Sequence, residues 1–261
     1  MAIERDRALL LRRTPFGESS LVVQVLTREH GRIHAMAKGA YRKTSAYYCV
    51  LDFFDELALE WSATKDRDLA TLRRASLSRQ RRSVSHDVEG YRTAVEVLEL
   101  AELAAQPAQR NRELFDLVSG TLDALEAAPS EARALFVVFQ LRFLQNLGLA
   151  PSLRDCASCG GEAPVLRDGT PGPVERVAFS AGAGGRLCLD CAREARASGR
   201  RVGTLPRLLL DDAARIGETG VSAASSLDAE ALAEVRRFAE RFMDYHLQTR
   251  PKSRRAAGPT R

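Results

Sequence analysis

Two pairs of cysteines restrict what this chain can fold into more than any other feature of its sequence. Cys156 and Cys159 form one C-x-x-C motif, Cys188 and Cys191 form another, and 28 residues separate the pairs. Each motif can supply two thiolates from one tight turn, and the chain between them can return as a hairpin. That segment is rich in Gly and Pro and too poor in apolar residues to form a core alone. We therefore predict one structural Zn²⁺ ion held by the four sulfurs.

Other roles for the cysteines fit this spacing less well. A catalytic zinc ion needs an open coordination position, whereas four cysteines close the shell and no histidine lies near them in sequence. A thiol-redox function is the remaining alternative, but it needs only one of the two pairs. The fifth cysteine, Cys49, is predicted to be a small core residue.

The first 80 residues have the pattern of short strands separated by turns. The predicted strands occupy residues 7–13, 19–27, 32–38, 57–61 and 69–76. The third strand alternates: Ala35 and Ala37 are predicted to face inward. Arg32, His34 and Lys38 are predicted to face outward. Strands at this spacing, with no helix between most of them, predict a small antiparallel barrel or sandwich.

From about residue 84 the apolar residues recur with the period of helices. One predicted stripe comprises Val84, Val88, Tyr91, Val95 and Leu98. The next stripe comprises Leu114, Leu117, Val118, Leu122 and Leu125. A third helix, at residues 131–147, is apolar around most of its circumference, which indicates a place in the middle of a bundle. Helical periodicity returns after the cysteines.

These patterns predict an α+β multidomain protein. It has an N-terminal barrel at 1–80, a helical bundle domain at 81–150 and 196–249, a zinc-ribbon-like four-cysteine insert at 151–195 and a disordered basic tail at 250–261. The N-terminus has no apolar signal-peptide core, and the longest apolar run of the central region, 134–139, is far too short to span a bilayer. We expect a soluble intracellular protein that contacts no membrane.

Charge is distributed in blocks along the chain. Residues 1–85 carry 16 basic and 10 acidic residues, residues 86–150 carry 5 and 10, and residues 151–261 carry 18 and 14. The two basic blocks are candidates for contact with a polyanion, and the acidic block is not. Nearly all the cations are arginines, which suit phosphate contacts, although a GC-rich genome gives the same bias.

Two clusters of cations are the candidate nucleic-acid contacts. The first comprises Arg32, His34, Lys38, Tyr41, Arg42 and Lys43. Cations for phosphates and rings for bases are the ingredients of a single-strand binding surface. The second cluster comprises Arg73, Arg74, Arg79, Arg81 and Arg82. For both clusters the alternative is an ordinary solvated surface.

The sequence contains no recognisable catalytic constellation. It has no G-x-S-x-G motif, no Walker loop and no G-x-G-x-x-G motif after a strand, and its four histidines are scattered. The sequence therefore predicts a binding protein rather than an enzyme.

The order of these parts resembles the bacterial RecO family of DNA repair and recombination mediators. The resemblance covers nearly the whole chain and rests on T-P-x-G-E (14–18), L-T-x-x-x-G (26–31), A-K-G (37–39), L-x-x-L-G (144–148) and P-x-L-x-x-C-x-x-C-G (151–160). It implies an OB-fold barrel, a helical domain and a zinc-binding insert whose ligands are the four paired cysteines. The family's basic barrel segment falls on Lys38, Arg42 and Lys43. Here Tyr41 and then Thr44-Ser45 stand where many members continue with a compact Ala/Arg run.

The resemblance also implies a function. Members bind single- and double-stranded DNA and anneal complementary strands. With RecR they help to load RecA onto DNA coated by single-strand binding protein (SSB), in the RecF pathway of DNA damage repair. A cytoplasmic, nucleoid-associated location follows. Two other classes stay open: a zinc-ribbon RNA- or tRNA-modifying enzyme with an OB domain, and a zinc-ribbon transcription scaffold.

A site for the acidic tail of SSB is implied on the third helix. Arg133 and Arg142 would supply cations there, and Phe139 and Phe143 would supply an apolar slot. The alternative for the arginines is an internal salt bridge to a glutamate of the same domain.

Overall fold

The computed structural model describes residues 3–47, 49–62, 69–166 and 175–248. The predicted tail at 250–261 lies outside these residues. Contacts divide the described chain into two compact units, one up to Ala132 and one from Arg133 onward. Within the described ranges, every helix is too short or too polar to cross a bilayer.

The first unit contains a closed barrel of five strands. Their bounds are β1 Ile3–Phe16, β2 Ser20–Thr27, β3 Gly31–Ala37, β4 Glu56–Ser62 and β5 Leu69–Arg79. The strands follow one another in the order β1-β2-β3-β5-β4, and β4 pairs with β1 to close the barrel. The β3–β5 pairing is parallel and the others are antiparallel. This is the topology of an OB fold, so the predicted barrel is confirmed.

The interior of the barrel follows the alternation of the strands. Ala35 and Ala37 of β3 are buried in a cluster with Leu57, Leu59 and Trp61 of β4, as the sequence pattern predicts. Side chains two apart on a strand share one face, which in a closed barrel is the core.

The first strand is longer than the sequence pattern predicts. It continues through Pro15 to Phe16, where a turn was expected. Beyond Leu10 this strand pairs only with β2, because its pairing with β4 ends at Leu9. A proline without an N–H is tolerated in such an edge segment, since no neighbour needs its hydrogen bond.

Two helices, α1 (Val88–Ala104) and α2 (Arg112–Ala127), belong to the first unit. The predicted stripe on α1 is correct only in part: Val84 and Leu98 are buried, but Val88 is 84% exposed and Tyr91 is 50% exposed. The buried face instead carries small residues such as Ala94 and Ala101 between larger ones. Small side chains let a helix pack closely, and a pattern that counts only large apolar residues misses them. The stripe predicted on α2 is mostly buried.

The second unit combines helices with a small sheet. Its elements are α3 (Ala132–Asn146), β6 (Arg176–Ser180), β7 (Gly185–Leu187), α4 (Leu189–Ala197), β8 (Gly203–Pro206), α5 (Arg207–Thr219), α6 (Val221–Ser225) and α7 (Ala229–Leu247). The strands lie in the order β7-β6-β8. Phe179 of β6 packs edge-on against Phe238 and Phe242 of α7, with ring centroids 5.5 and 6.1 Å away. As predicted, α3 is buried around most of its circumference.

Candidate metal centre and nucleic-acid interface

The four paired cysteines converge on one point of the second unit. The sulfurs of Cys156, Cys159, Cys188 and Cys191 all lie within 4.8 Å of one another. The first pair sits in a turn closed by the Cys156 N–H, which donates to the Gly161 carbonyl at 2.8 Å. The second pair opens α4: the Cys188 sulfur accepts from the Cys191 N–H at 3.4 Å. A helix N-terminus favours a thiolate there.

The local environment favours ionisation of one of the four sulfurs. Burial opposes ionisation of Cys156, but the N–H groups of Cys188, Cys159 and Ser158 outweigh it and lower its pKa to about 6. Hydrogen bonds with the neighbouring sulfurs of Cys188 and Cys156 raise the pKa of Cys191. Four sulfurs of which one ionises at neutral pH form a soft donor set, which suits a tetrahedral metal ion. The group could hold such an ion.

The core around these sulfurs is small. Its buried members are Cys156, Ala163, Ala178, Leu187, Ala192 and Ala195. Among the described residues, Leu187 is its only fully buried large aliphatic side chain, so burial of apolar area supplies little stability here. A bound metal would supply the missing stability.

The first basic cluster lies on the loop that follows β3. Lys38, Tyr41, Arg42 and Lys43 are all exposed. The loop is tied to the β1–β2 end of the barrel, because the Tyr41 N–H donates to the Ser19 carbonyl at 3.0 Å. These four predicted residues therefore lie together.

Gly39 shapes this loop. Its φ is +68°, a conformation that side chains disfavour. A Cβ at this position would also lie 3.3 Å from the Arg42 Cδ. The Arg42 side chain thus folds back over Gly39, which explains the glycine that follows Lys38.

A cleft of about 460 Å³ lies beside the loop, and two of its lining residues are not among the predicted site residues. Lys38 and Arg42 line it together with Phe16 and Met36. Phe16 is 59% exposed at the end of β1. An exposed ring beside two cations is suited to a stacked base and its phosphates. The only sequence signal for Phe16 is an aromatic residue directly before the glycine of a hairpin turn.

Arg32 and His34 do not join this cleft. Arg32 is half-buried, and its Nη1 donates to the Glu102 carbonyl at 3.4 Å, toward the end of α1. Its backbone also bonds to the segment after α1, where its N–H donates to the Gln106 carbonyl at 3.1 Å. His34 is half-buried and has an interaction partner of its own. Arg32 and His34 alternate in step with Lys38 along β3, but this alternation does not place them in the same cleft.

Arg73 of the second cluster lies at the same end of the barrel as Lys38. In the parallel β3–β5 pairing Met36 is opposite Thr71, so Lys38 and Arg73 each lie two residues further on. Arg73 is exposed, and its Nε donates to the Ser62 hydroxyl at 2.9 Å.

The other arginines of the second cluster are dispersed. Arg74 lies opposite Glu60 on β4, in a different cleft. Arg79 forms an ion pair with Asp123, and Arg82 is exposed beside acidic residues of another pocket.

Arg81 is buried and has a structural role. Its side chain is 0% exposed and lies 2.8 Å from an Asp123 oxygen. It also donates to the Ser119 hydroxyl at 2.9 Å and to the Phe54 carbonyl. A guanidinium whose three nitrogen atoms all donate to protein acceptors is not available to DNA.

The residues predicted to bind an SSB tail are only partly accessible. Arg133 and Arg142 on α3 are exposed. Phe139 and Phe143 are fully buried, and they form a stack with centroids 5.6 Å apart. The expected apolar slot on these two rings is therefore closed in this structure, because an all-round apolar helix buries its aromatic face.

The comparisons with known proteins agree with this architecture. The model of "Recombination protein O N terminal" matches residues 1–81, and the model of "Recombination protein O C terminal" matches residues 85–255. A "DNA repair protein RecO" from Anaeromyxobacter dehalogenans (strain 2CP-C) is 37% identical over 250 residues, which cover 95% of this chain and 92% of the relative. One from strain 2CP-1 is 36% identical over 96% of this chain and 95% of the relative. With a five-stranded OB barrel, a helical second part and a four-cysteine cluster in this order, the chain belongs to the RecO family of DNA repair proteins.

Proposed function

We propose that this protein is a non-enzymatic DNA-binding mediator of homologous recombination and gap repair, which anneals complementary strands. The observation that carries the proposal is the cleft where Phe16 and Met36 meet Lys38 and Arg42. Exposed rings can stack on bases of any sequence, and the cations follow the phosphates. With Tyr41, Lys43 and Arg73 close by, this surface is suited to single strands before they pair.

The metal centre has a structural role in this proposal. Cys156, Cys159, Cys188 and Cys191 would hold one Zn²⁺ ion, which would stabilise the turn and helix that present them. Four sulfur ligands leave no position for a substrate. The ion would therefore take no part in any reaction.

The partners follow from family membership. We propose that the protein acts with RecR, displaces or contacts SSB on single-stranded DNA, and so helps to load RecA. It would also bind double-stranded DNA and work at the nucleoid in the cytoplasm.

A direct test of the SSB contact uses α3. The exposed Arg142 is the cation that an acidic peptide would meet. We expect Arg142→Ala to weaken binding of a fluorescent peptide with the acidic SSB tail sequence, measured by anisotropy. Equal affinities would place the tail elsewhere on the protein.

The function itself is tested by strand annealing without nucleotide cofactors. Two complementary oligonucleotides, one with a fluorophore and one with a quencher, are mixed with the protein, with and without SSB. We expect the wild type to accelerate quenching and Phe16→Ala to slow it, because base stacking is lost. Phe53→Ala is a control on another aromatic ring of the barrel. Turnover of a nucleic-acid base instead of annealing would favour the RNA-modifying alternative, and tight protein binding without annealing would favour the scaffold.

A further inference from the structure

A second group of cations lies outside the barrel, around the end of α4. Residues 193–201 contain four arginines, Arg193, Arg196, Arg200 and Arg201, and one acidic residue, Glu194. All four arginines are exposed. The segment comprises the C-terminal half of α4 and the residues directly after it, and the same helix begins at the second pair of clustered cysteines.

Hydrogen bonds fix the backbone that carries these arginines. The α4 helix ends in a Schellman motif, in which the Arg200 N–H donates to the Ala195 carbonyl at 2.9 Å and the Gly199 N–H donates to the Arg196 carbonyl at 3.0 Å. Gly199 supplies the left-handed residue, with φ of +78°. The Ser180 hydroxyl then donates to the Arg201 carbonyl at 2.7 Å. The arginines therefore start from a rigid base, which reduces the entropy lost when they bind a ligand.

Three of these side chains lack an acidic partner among the described residues. Arg193 forms an ion pair with Asp190, but no carboxylate lies within salt-bridge distance of Arg196, Arg200 or Arg201 in the described ranges. Three other exposed arginines of the unit are paired. Arg154 lies 2.8 Å from Glu218, Arg207 lies 2.9 Å from Glu175, and Arg215 lies 3.0 Å from Asp212. Unpaired guanidinium groups keep their full capacity for a phosphate.

We propose that Arg196, Arg200 and Arg201 form a second binding surface for the phosphate backbone of a nucleic-acid strand. The inference rests on the proposed annealing function and adds a site to it. Annealing requires two strands to be held at the same time. The barrel cleft, with its exposed ring, is suited to one strand, and the arginine surface contacts the backbone of the other without contacts to its bases.

Compensation of charge at the metal centre is the competing explanation. Four thiolates around a divalent ion carry a net charge of about −2, and nearby cations would offset it. That role predicts that removal of the arginines lowers metal retention. A phosphate surface predicts that metal content stays constant while binding of the second strand falls.

The test uses a variant with Arg196→Gln, Arg200→Gln and Arg201→Gln in the full-length protein. The matched control is Arg154→Gln, Arg207→Gln and Arg215→Gln, which removes the same charge from paired arginines. Two non-complementary oligo-dT strands with different fluorophores report bridging through energy transfer. We expect the first variant to keep its zinc, to lose bridging about 100-fold in affinity at ~0.1 M salt, and to reduce the salt slope by about 2, as three lost phosphate contacts predict. The control should bridge like the wild type.

Either of two results would overturn this inference. One is wild-type bridging by the Arg196/Arg200/Arg201 variant, and the other is loss of zinc in that variant. Failure of the proposed function has a different signature, since the wild type itself would then neither bind nor anneal DNA. If the wild type anneals DNA and the variant bridges two strands normally, the proposed second surface is contradicted and the annealing function is not.

Discussion

Arg81 and Arg82 are neighbours in the chain with opposite environments. The Arg81 guanidinium is buried against Asp123 and Ser119, whereas Arg82 is exposed. We expect Arg81→Ala to lower the free energy of unfolding by about 3 kcal/mol, because Asp123 loses one of its two arginine partners and the buried acceptors of Ser119 and Phe54 lose their donor. Arg82→Ala is the matched control and should change the stability by less than about 0.5 kcal/mol. Urea unfolding measures both, and equal stabilities of the two variants would contradict the structural role.

The sequence does not distinguish these two residues. Both belong to one basic run, and the difference arises from Asp123, 42 positions further along the chain. Phe16 was missed for a related reason, since only the path of the loop after β3 makes its exposed ring part of a cationic cleft. The cysteines were predictable because their spacing itself brings two ligands into each turn.

At the scale of elements, the cysteine-bearing turn and α4 depend on metal more than on packing. Their buried core consists mostly of alanines. We expect a strong chelator, or Cys156→Ser with Cys159→Ser, to lower the thermal midpoint of the second unit. Single-strand binding through the barrel should persist in protein that remains folded. Cys49→Ser is the control, since Cys49 lies outside the cluster and is exposed, not in the core as predicted. Unchanged melting after complete removal of metal would exclude a structural ion.

The same centre should lose its metal in acid. The pKa of Cys156 falls from its ordinary 9.0 to about 6. The stability that its thiolate contributes is therefore complete above about 9 and is lost as the pH falls through about 6. After dialysis against buffered zinc, we expect full metal content at about pH 7.5 and a steep loss below about pH 6. A loss that is complete at neutral pH would contradict this environment for Cys156.

The elements themselves were predictable to different degrees. The strands of the barrel are predictable because apolar and polar side chains alternate along them, so that only one face of each strand can be buried. Ala35 and Ala37 lie on that face of β3. The buried face of α1 is not predictable from large apolar residues alone, because Ala94 and Ala101 are only weakly hydrophobic. Their small side chains nevertheless allow close packing of the helix. Large residues at the start of that helix, such as Val88, remain exposed.

At the scale of the whole molecule, binding of DNA should follow the blocks of charge. Lys38, Arg42 and Lys43 lie together on the barrel within a segment of net positive charge. Replacing all three by Ala should flatten the dependence of log K on log salt by about 2 for single strands, equally for unrelated sequences. The matched control replaces Arg5, Arg28 and Arg112, whose side chains form ion pairs with acidic residues. A wild-type slope in the first variant would mean that the loop is merely solvated.

The closure of the barrel has a consequence for synthesis of the chain. β1 pairs with β4, and β3 pairs with β5, so a nascent chain that ends before Leu69 leaves the edge of β3 unpaired. The ion pair of Arg81 cannot form until Asp123 on α2 has also been synthesised. At 5–20 residues per second, translation up to the end of β5 at Arg79 takes roughly 4–16 s. During that interval the open strand edges can pair with other chains and aggregate, so yields should depend on how well the ribosome-bound chain is shielded by chaperones.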